Sequence, residues 1–211
     1  MDSKLRADRH IDTSNGGSTG TAVLYHQPAN SLVIAHVGDT RAVIGKRDAS
    51  GIKGVDLTED HKPDLEKEKK RIERMGGVVQ PGGEDGLSAS VWLPDMSGGL
   101  AMSRSFGDTE FHRVGVSTEP AVKTVEIGHF DQFLIIASDG IWEMLNSDQA
   151  ARIVERHNNA TEACVELIHA ATKRWQELEG AYRDDITVIV AFLGPLKAFL
   201  EGGVTDLTHP A

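Results

Sequence analysis

The run Phe133-Leu134-Ile135-Ile136-Ala137-Ser138-Asp139-Gly140 constrains the fold of this chain more than any other segment. Large apolar and β-branched residues follow one another and stop at Ser-Asp-Gly, the pattern of a buried strand that ends at a carboxylate. Further along, Arg183-Asp184-Asp185 runs into Ile186-Thr187-Val188-Ile189-Val190-Ala191-Phe192, the same pattern in reverse order. If the two strands are antiparallel neighbours, Asp139 and Asp184 meet at one rim of a sheet. Two carboxylates held together repel unless a cation lies between them, so the pattern points to a divalent metal site.

Composition narrows the partners. The chain has 211 residues and a formal net charge of −10, and no dense Lys/Arg run relieves that charge. Phosphate-backbone binding needs a basic footprint, so no nucleic-acid partner is expected. No apolar run approaches the roughly 18 residues of a membrane helix, and residues 1–13 have no signal-peptide core, so no membrane partner is expected either. The single cysteine, Cys164, allows no internal disulfide and fits a reducing compartment, cytoplasmic or nuclear. The triplet Asn159-Ala160-Thr161 has the form of a glycosylation sequon, but no secretory signal accompanies it.

Turn signals and periodicity place the elements. Residues 21–25 and 32–37 read as strands joined by Gln27-Pro28-Ala29-Asn30. Gly38-Asp39-Thr40 interrupts an apolar run that resumes at Arg41, which predicts a tight hairpin with Asp39 at its tip. Asp64 to Met75 reads as a helix, with Pro63 and acidic residues early and Gly76-Gly77 as its stop. Residues 80–99, rich in Gly, Ser and Pro, predict an irregular loop. Asn146 with Gln149 predicts a capped helix to about Arg156, and a longer helix spans about 160–178. On that helix Cys164, Ile168, Ala171, Trp175 and Leu178 share one face, so Cys164 is assigned to packing. Leu196 to Leu200 reads as a short terminal helix. Many strands with few helices predict a layered α+β domain.

The order of short motifs resembles the metal-dependent type-2C (PPM) serine/threonine protein phosphatases. The matching segments are Gly17-Ser18-Thr19-Gly20-Thr21-Ala22, Val37-Gly38-Asp39-Thr40-Arg41 and Asp60-His61-Lys62-Pro63. Then come Glu68 through Arg71-Ile72 to Gly76-Gly77, and Leu100 to Asp108. The series closes with Glu119-Pro120, Ser138-Asp139-Gly140-Ile141-Trp142-Glu143 and Arg183-Asp184-Asp185-Ile186-Thr187-Val188. Each is weak alone, but their fixed order across residues 17–193 is specific. The resemblance implies an α-β-β-α sandwich of four layers with a metal pair at one end. It also implies hydrolysis of phosphoserine and phosphothreonine in phosphoprotein substrates. Mn2+ or Mg2+, two per complete site and a third, weaker one, would activate water for in-line attack.

Carried over residue by residue, Asp139 and Asp184 match the family's metal ligands. Asp39 matches an acidic position tied to the weaker metal, and Glu143, standing where many members have Asp, is the further candidate ligand of that weaker metal. Asp185 stands where many have Asn and is not taken as a ligand. His112 and Arg113 lie in the variable segment 109–118 and are the candidate substrate contacts. His61, although a histidine can move protons near neutral pH, is assigned to support of the fold. Arg104 is read as structural, not as a phosphate clamp. Gly16–Gly20 lacks the Gly-Lys-Ser/Thr ending of a phosphate loop and is read as close strand packing.

The family's Asp-Gly-His-Gly-Gly motif, with its general acid, and its phosphate-binding Arg have no counterpart here. The Asp-Gly pairs are Asp85-Gly86 and Asp139-Gly140, and neither is followed by His. The catalytic residues are therefore unknown from this sequence. The chain reads as a C-terminal part of the phosphatase domain, incomplete at the N-terminus: a frayed segment 1–13, the domain at 14–194 and a tail at 195–211. Without the bridging carboxylate that holds two cations together low activity is expected, and unpaired strand edges predict self-association. The alternative is a catalytically inactive pseudophosphatase acting as a protein-binding module.

Overall fold

The computed structural model describes residues 1–83 and 88–194. In chain order the elements are α1 (Asp2–Ala7), β1 (Gly17–Ser18), β2 (Gly20–His26), β3 (Ser31–Val37), β4 (Arg41–Asp48), β5 (Gly51–Asp56) and α2 (Glu66–Arg74). They continue with β6 (Val78–Gln80), β7 (Ser90–Trp92), β8 (Gly99–Leu100), β9 (Phe106–Gly107), α3 (Thr109–His112), β10 (Ala121–Glu126) and β11 (Asp131–Ala137). The last are α4 (Asp139–Trp142), α5 (Ser147–Val154), α6 (Ala160–Glu179) and β12 (Val188–Phe192). Mixed helix and sheet agree with the α+β expectation. The sheets have the orders β1-β9, β10-β3-β2, β12-β11-β4-β5 and β6-β7-β8.

The chain divides into two compact units. The first comprises Met1–Val23, Ile34–Thr40 and Thr58–Lys123; the second comprises Leu24–Val33, Arg41–Leu57 and the chain from Thr124 onward. The core of the second unit gathers Val43, Phe133, Ile135 and Val190 from the sheet with Trp142, Ala151, Leu167 and Trp175 from the helices. Each large apolar side chain buried this way contributes about 1.5–3 kcal/mol. The first unit has a smaller core of Ile72, Val91, Leu93, Phe111, Val114 and Val116.

Several elements depart from the sequence reading. Gly38-Asp39-Thr40 is not a hairpin tip: β3 pairs in the sheet with β2 and β10, whereas β4 pairs with β11 and β5, so the link carries the chain from one sheet to another. Gly38 makes the turn possible, at φ +100, where a side chain is strained. Its Cα also packs so close to Thr19 that a Cβ would lie 2.2 Å from the Thr19 methyl. Residues 80–99 are not wholly irregular; β7 and β8 form an antiparallel meander with β6, pairing Val79 with Val91 and Val91 with Leu100. Such short strands leave little periodicity to read. β12 is an edge strand with only Val190 buried, not the fully buried strand its composition predicts.

The helices follow their caps. α2 starts at Glu66, later than predicted, and Met75 and Gly76 end it. In α5 the Asn146 side chain accepts from Gln149 N at 2.9 Å while the Gln149 side chain accepts from Asn146 N at 3.0 Å, the reciprocal capping pattern the sequence predicts. Asn159 caps α6. The buried ridge of α6 is Ala163, Leu167, Ala171 and Trp175, rotated slightly from the predicted face. Cys164 and Ile168 flank it, and Leu178 is exposed. Cys164 is half-buried against the core. Residues 1–13, read as frayed, contain α1, and Asp2 Oδ1 accepts from Gly107 N at 3.0 Å. The predicted helix at 196–200 lies outside the described residues.

Candidate metal centre

Asp139 and Asp184 lie in the second unit. β11 and β12 are antiparallel neighbours, with Ile135 opposite Val190 and Ala137 opposite Val188. The pairing persists one step beyond the strands: Ser138 N donates to Thr187 O at 3.0 Å. The Ser138 hydroxyl donates to Asp185 O and accepts from Thr187 N, both at 3.0 Å. Register therefore brings the segment holding Asp139 beside the segment holding Asp184, which is the antiparallel arrangement expected from the sequence. Gly140 permits the approach, since a Cβ there would lie 2.4 Å from the Asp185 carbonyl oxygen.

Two indoles fix the backbone around Asp139. Trp142 Nε1 donates to Ala137 O at 2.7 Å, and Trp175 Nε1 donates to Gly140 O at 2.8 Å. Both bonds are buried, where a satisfied polar group holds its neighbours firmly. Asp139 opens α4, and its carbonyl accepts from Glu143 N at 2.8 Å. Asp139 and Glu143 are thus one helical turn apart, on the same side of that turn. Asp139 and Asp184 are half-buried, whereas Glu143 and Asp185 are exposed. Asp184 Oδ1 accepts from Asp185 N at 2.7 Å, which orients one of its oxygens.

This donor set is made of hard carboxylate oxygens. It fits one Mg2+ or Mn2+ ion, which is commonly held by one or two carboxylates and completes its shell with water. It does not by itself fit a bridged metal pair: among the described residues no group of three or more His, Cys, Asp or Glu is arranged to hold a metal.

Asp39 belongs to the first unit and has a different setting. It is buried, and Lys62 Nζ lies 2.6 Å from its Oδ2. The neighbouring residues are tied together twice: Gly38 N donates to His61 Nδ1 at 3.0 Å, and His61 N donates to Gly38 O at 3.0 Å. His61 is 1% exposed and stacks on His36 with ring centroids 4.3 Å apart. Burial, reinforced by the Arg104 and His36 charges, lowers its pKa to about 3, so it is neutral and accepts at Nδ1. A histidine committed in this way supports the fold, in agreement with the sequence reading.

Arg104 is likewise committed. Its Nε and Nη2 donate to the two oxygens of Glu68 at 3.0 and 2.6 Å, and its Nη1 donates to Glu119 O at 2.8 Å. Glu68 is fully buried and also bonded by Ser103 Oγ at 2.9 Å and Arg71 Nη2 at 2.7 Å. Burial pushes the Glu68 carboxyl up, but the donors from Arg104, Arg71 and Ser103 prevail and hold it at about 2. The sequence reading used Glu68 only as part of a motif. Its pairing with Arg71 three residues on was the available signal for a buried network.

The candidate substrate contacts lie in the first unit. His112 ends α3, with its Nε2 buried and without a hydrogen-bond partner among the described residues. Arg113 is exposed and, with Met75, Pro94, Asp95 and Val114, lines a cavity of about 350 Å³. The Gly17–Ser18 strand pairs with Phe106–Gly107, which is strand packing and not a phosphate loop.

A family model described as Protein phosphatase 2C matches residues 1–177. "Probable protein phosphatase 2C 64" of Oryza sativa subsp. japonica is 36% identical over 197 residues, covering 92% of this chain and 46% of the relative. "Probable protein phosphatase 2C 72" of Arabidopsis thaliana is 38% identical over 187 residues, covering 87% and 56%. The chain spans about half the length of the curated relatives it matches. Among solved structures, a serine-threonine phosphatase 2C from Toxoplasma gondii superposes with a TM-score of 0.75 at 26% identity, covering 90% of this chain and 63% of that one. A C. elegans sex determining protein superposes with a TM-score of 0.66 at 26% identity, covering 89% and 43%.

Proposed function

The chain belongs to the protein phosphatase 2C family, and from that premise we propose that it serves the metal-dependent hydrolysis of phosphoserine and phosphothreonine in phosphoproteins. The observation that carries the reading is the β11–β12 register, with Ala137 opposite Val188, which supports a shared role for Asp139 and Asp184. Their side chains would hold a Mn2+ or Mg2+ ion. The ion, when bound, supplies Lewis-acid activation of water and neutralises phosphoryl charge. The protein's own share is positioning. Ser138 locks the two acidic segments at a fixed spacing, and the Trp142 and Trp175 indoles hold the carbonyls on either side of Asp139.

Calorimetric titration of the chain with Mn2+ tests this. The expected result is weak binding that falls at least about tenfold in Asp139→Asn and in Asp184→Asn, since even indirect partners of a metal ligand are worth 10–100-fold. Heat unchanged in both variants would overturn the site. Release of phosphate from a phosphothreonine peptide with Mn2+ tests the chemistry, and release that persists in Asp184→Asn would count against it. The alternative reading is a binding module without chemistry. That reading predicts no Mn2+-dependent release of phosphate at all.

A further inference from the structure

Asp39 differs from the other candidate ligands because a cation already meets it. Its carboxylate is 3% exposed, and the Lys62 ammonium lies 2.6 Å from Oδ2. The contact is built in, not incidental. Lys62 follows His61, and Asp39 follows Gly38; the two reciprocal bonds between His61 and Gly38 therefore fix the backbone at both ends of the ion pair. On the other side, the Thr40 hydroxyl lies 2.6 Å from that of Thr19, and Thr40 O accepts from Thr21 Oγ1 at 3.1 Å. Asp39 thus sits between two tied neighbours, which hold its carboxylate beside Lys62. A divalent ion needs oxygen ligands near 2.1 Å and about six of them. An ammonium already seated on a buried carboxylate supplies the charge and leaves no room for the ion.

We propose that Lys62 is a tethered cation that fills the Asp39 position and keeps divalent ions out of it, so that Asp39 is an anchor of the fold and not a metal ligand. With the Lys62 ammonium in place, the donor set at Asp39 does not fit the weaker metal that the family resemblance assigns there. A lysine suits this role because its compact charge sits on a flexible stem, and here the side chain is only 27% exposed.

The test uses the 211-residue chain as wild type, Asp39→Asn, Lys62→Met and the Lys62→Met/Asp39→Asn double variant, each titrated with Mn2+ by calorimetry and melted with and without Mn2+. The wild type and Asp39→Asn should bind Mn2+ with affinities within about twofold of each other. Lys62→Met leaves a buried carboxylate uncompensated, so its Tm should fall by about 5–10 °C. Mn2+ should then restore several degrees of that loss, and the double variant should show no such recovery. A tenfold loss of Mn2+ affinity in Asp39→Asn alone would overturn the proposal, as would a Lys62→Met melt that Mn2+ leaves unmoved. If Lys62→Met does not fold, the comparison of wild type with Asp39→Asn decides. Repeating the melts in an Asp139→Asn background separates this inference from the Asp139 and Asp184 site, because the Asp39-dependent recovery should persist there.

Discussion

Removing the Arg104 guanidinium should unfold the first unit more readily without any direct effect on phosphate binding. Glu68 is fully buried, and Arg104 supplies two of the charge-assisted bonds that keep it ionised. Arg104→Met strands a carboxylate that Arg71 and Ser103 still contact. Breaking a buried ion pair costs about 3–5 kcal/mol, and the remaining partners place the expected cost near the low end, about 3 kcal/mol. For a chain of this length each kcal/mol lowers Tm by about 2–4 °C, so a fall of about 6–12 °C is expected. A double-mutant cycle with Glu68→Leu isolates the pair. The double variant should be more stable than the sum of the single costs predicts, because no unpaired buried carboxylate remains. The reasoning is refuted if Arg104→Met costs less than about 1 kcal/mol, the worth of an exposed pair. It is also refuted if Arg104→Met leaves Tm unchanged and raises KM for a phosphate ester, the behaviour of a clamp.

Acid should weaken the fold through His61. Its folded pKa of about 3 lies below the unfolded value of 6.5, so the unfolded chain takes up the proton first and stability falls as pH drops from about 6.5 toward 3. At pH 5 the loss is about 2 kcal/mol, measurable by urea melts and absent in His61→Asn; equal slopes in both proteins would refute it. Gly140→Ala should cost about 1–3 kcal/mol by overpacking and lower Mn2+ affinity without touching a carboxylate, because the new methyl meets the Asp185 carbonyl. Unchanged affinity would mean that strand spacing does not set the site.

Local signals were legible where a few neighbouring residues decide the outcome. Asn146 and Gln149 announce the start of α5 because the capping bonds span only three residues. The apolar run of β11 places Asp139 just past a strand end, whereas β12 begins only at Val188, so Asp184 lies four residues before its strand and not at the strand end that the apolar run from Ile186 predicts. What the sequence conceals is pairing over distance. Two strands separated by Gly38-Asp39-Thr40 look like a hairpin, yet the bonds from His61 to Gly38 turn the chain away. The rotation of the α6 face has the same origin: Ala163 and Ala171 are buried because their small side chains allow close packing, whereas the larger Leu178 lies past the edge of the core. Glu68, in a helix whose sequence is mostly charged, shows that burial of a charge is decided by partners far along the chain, here Ser103 and Arg104.

The two indole bonds around Asp139 also make the protein its own optical probe. Of the three tryptophans, Trp142 and Trp175 donate to backbone carbonyls that bracket the acidic turn. Any loading or loosening of that turn must alter the polarity and hydrogen bonding their excited states sense. Emission wavelength and quenching then report on Asp139 directly, with Trp92 in the other unit as an internal background and no attached dye.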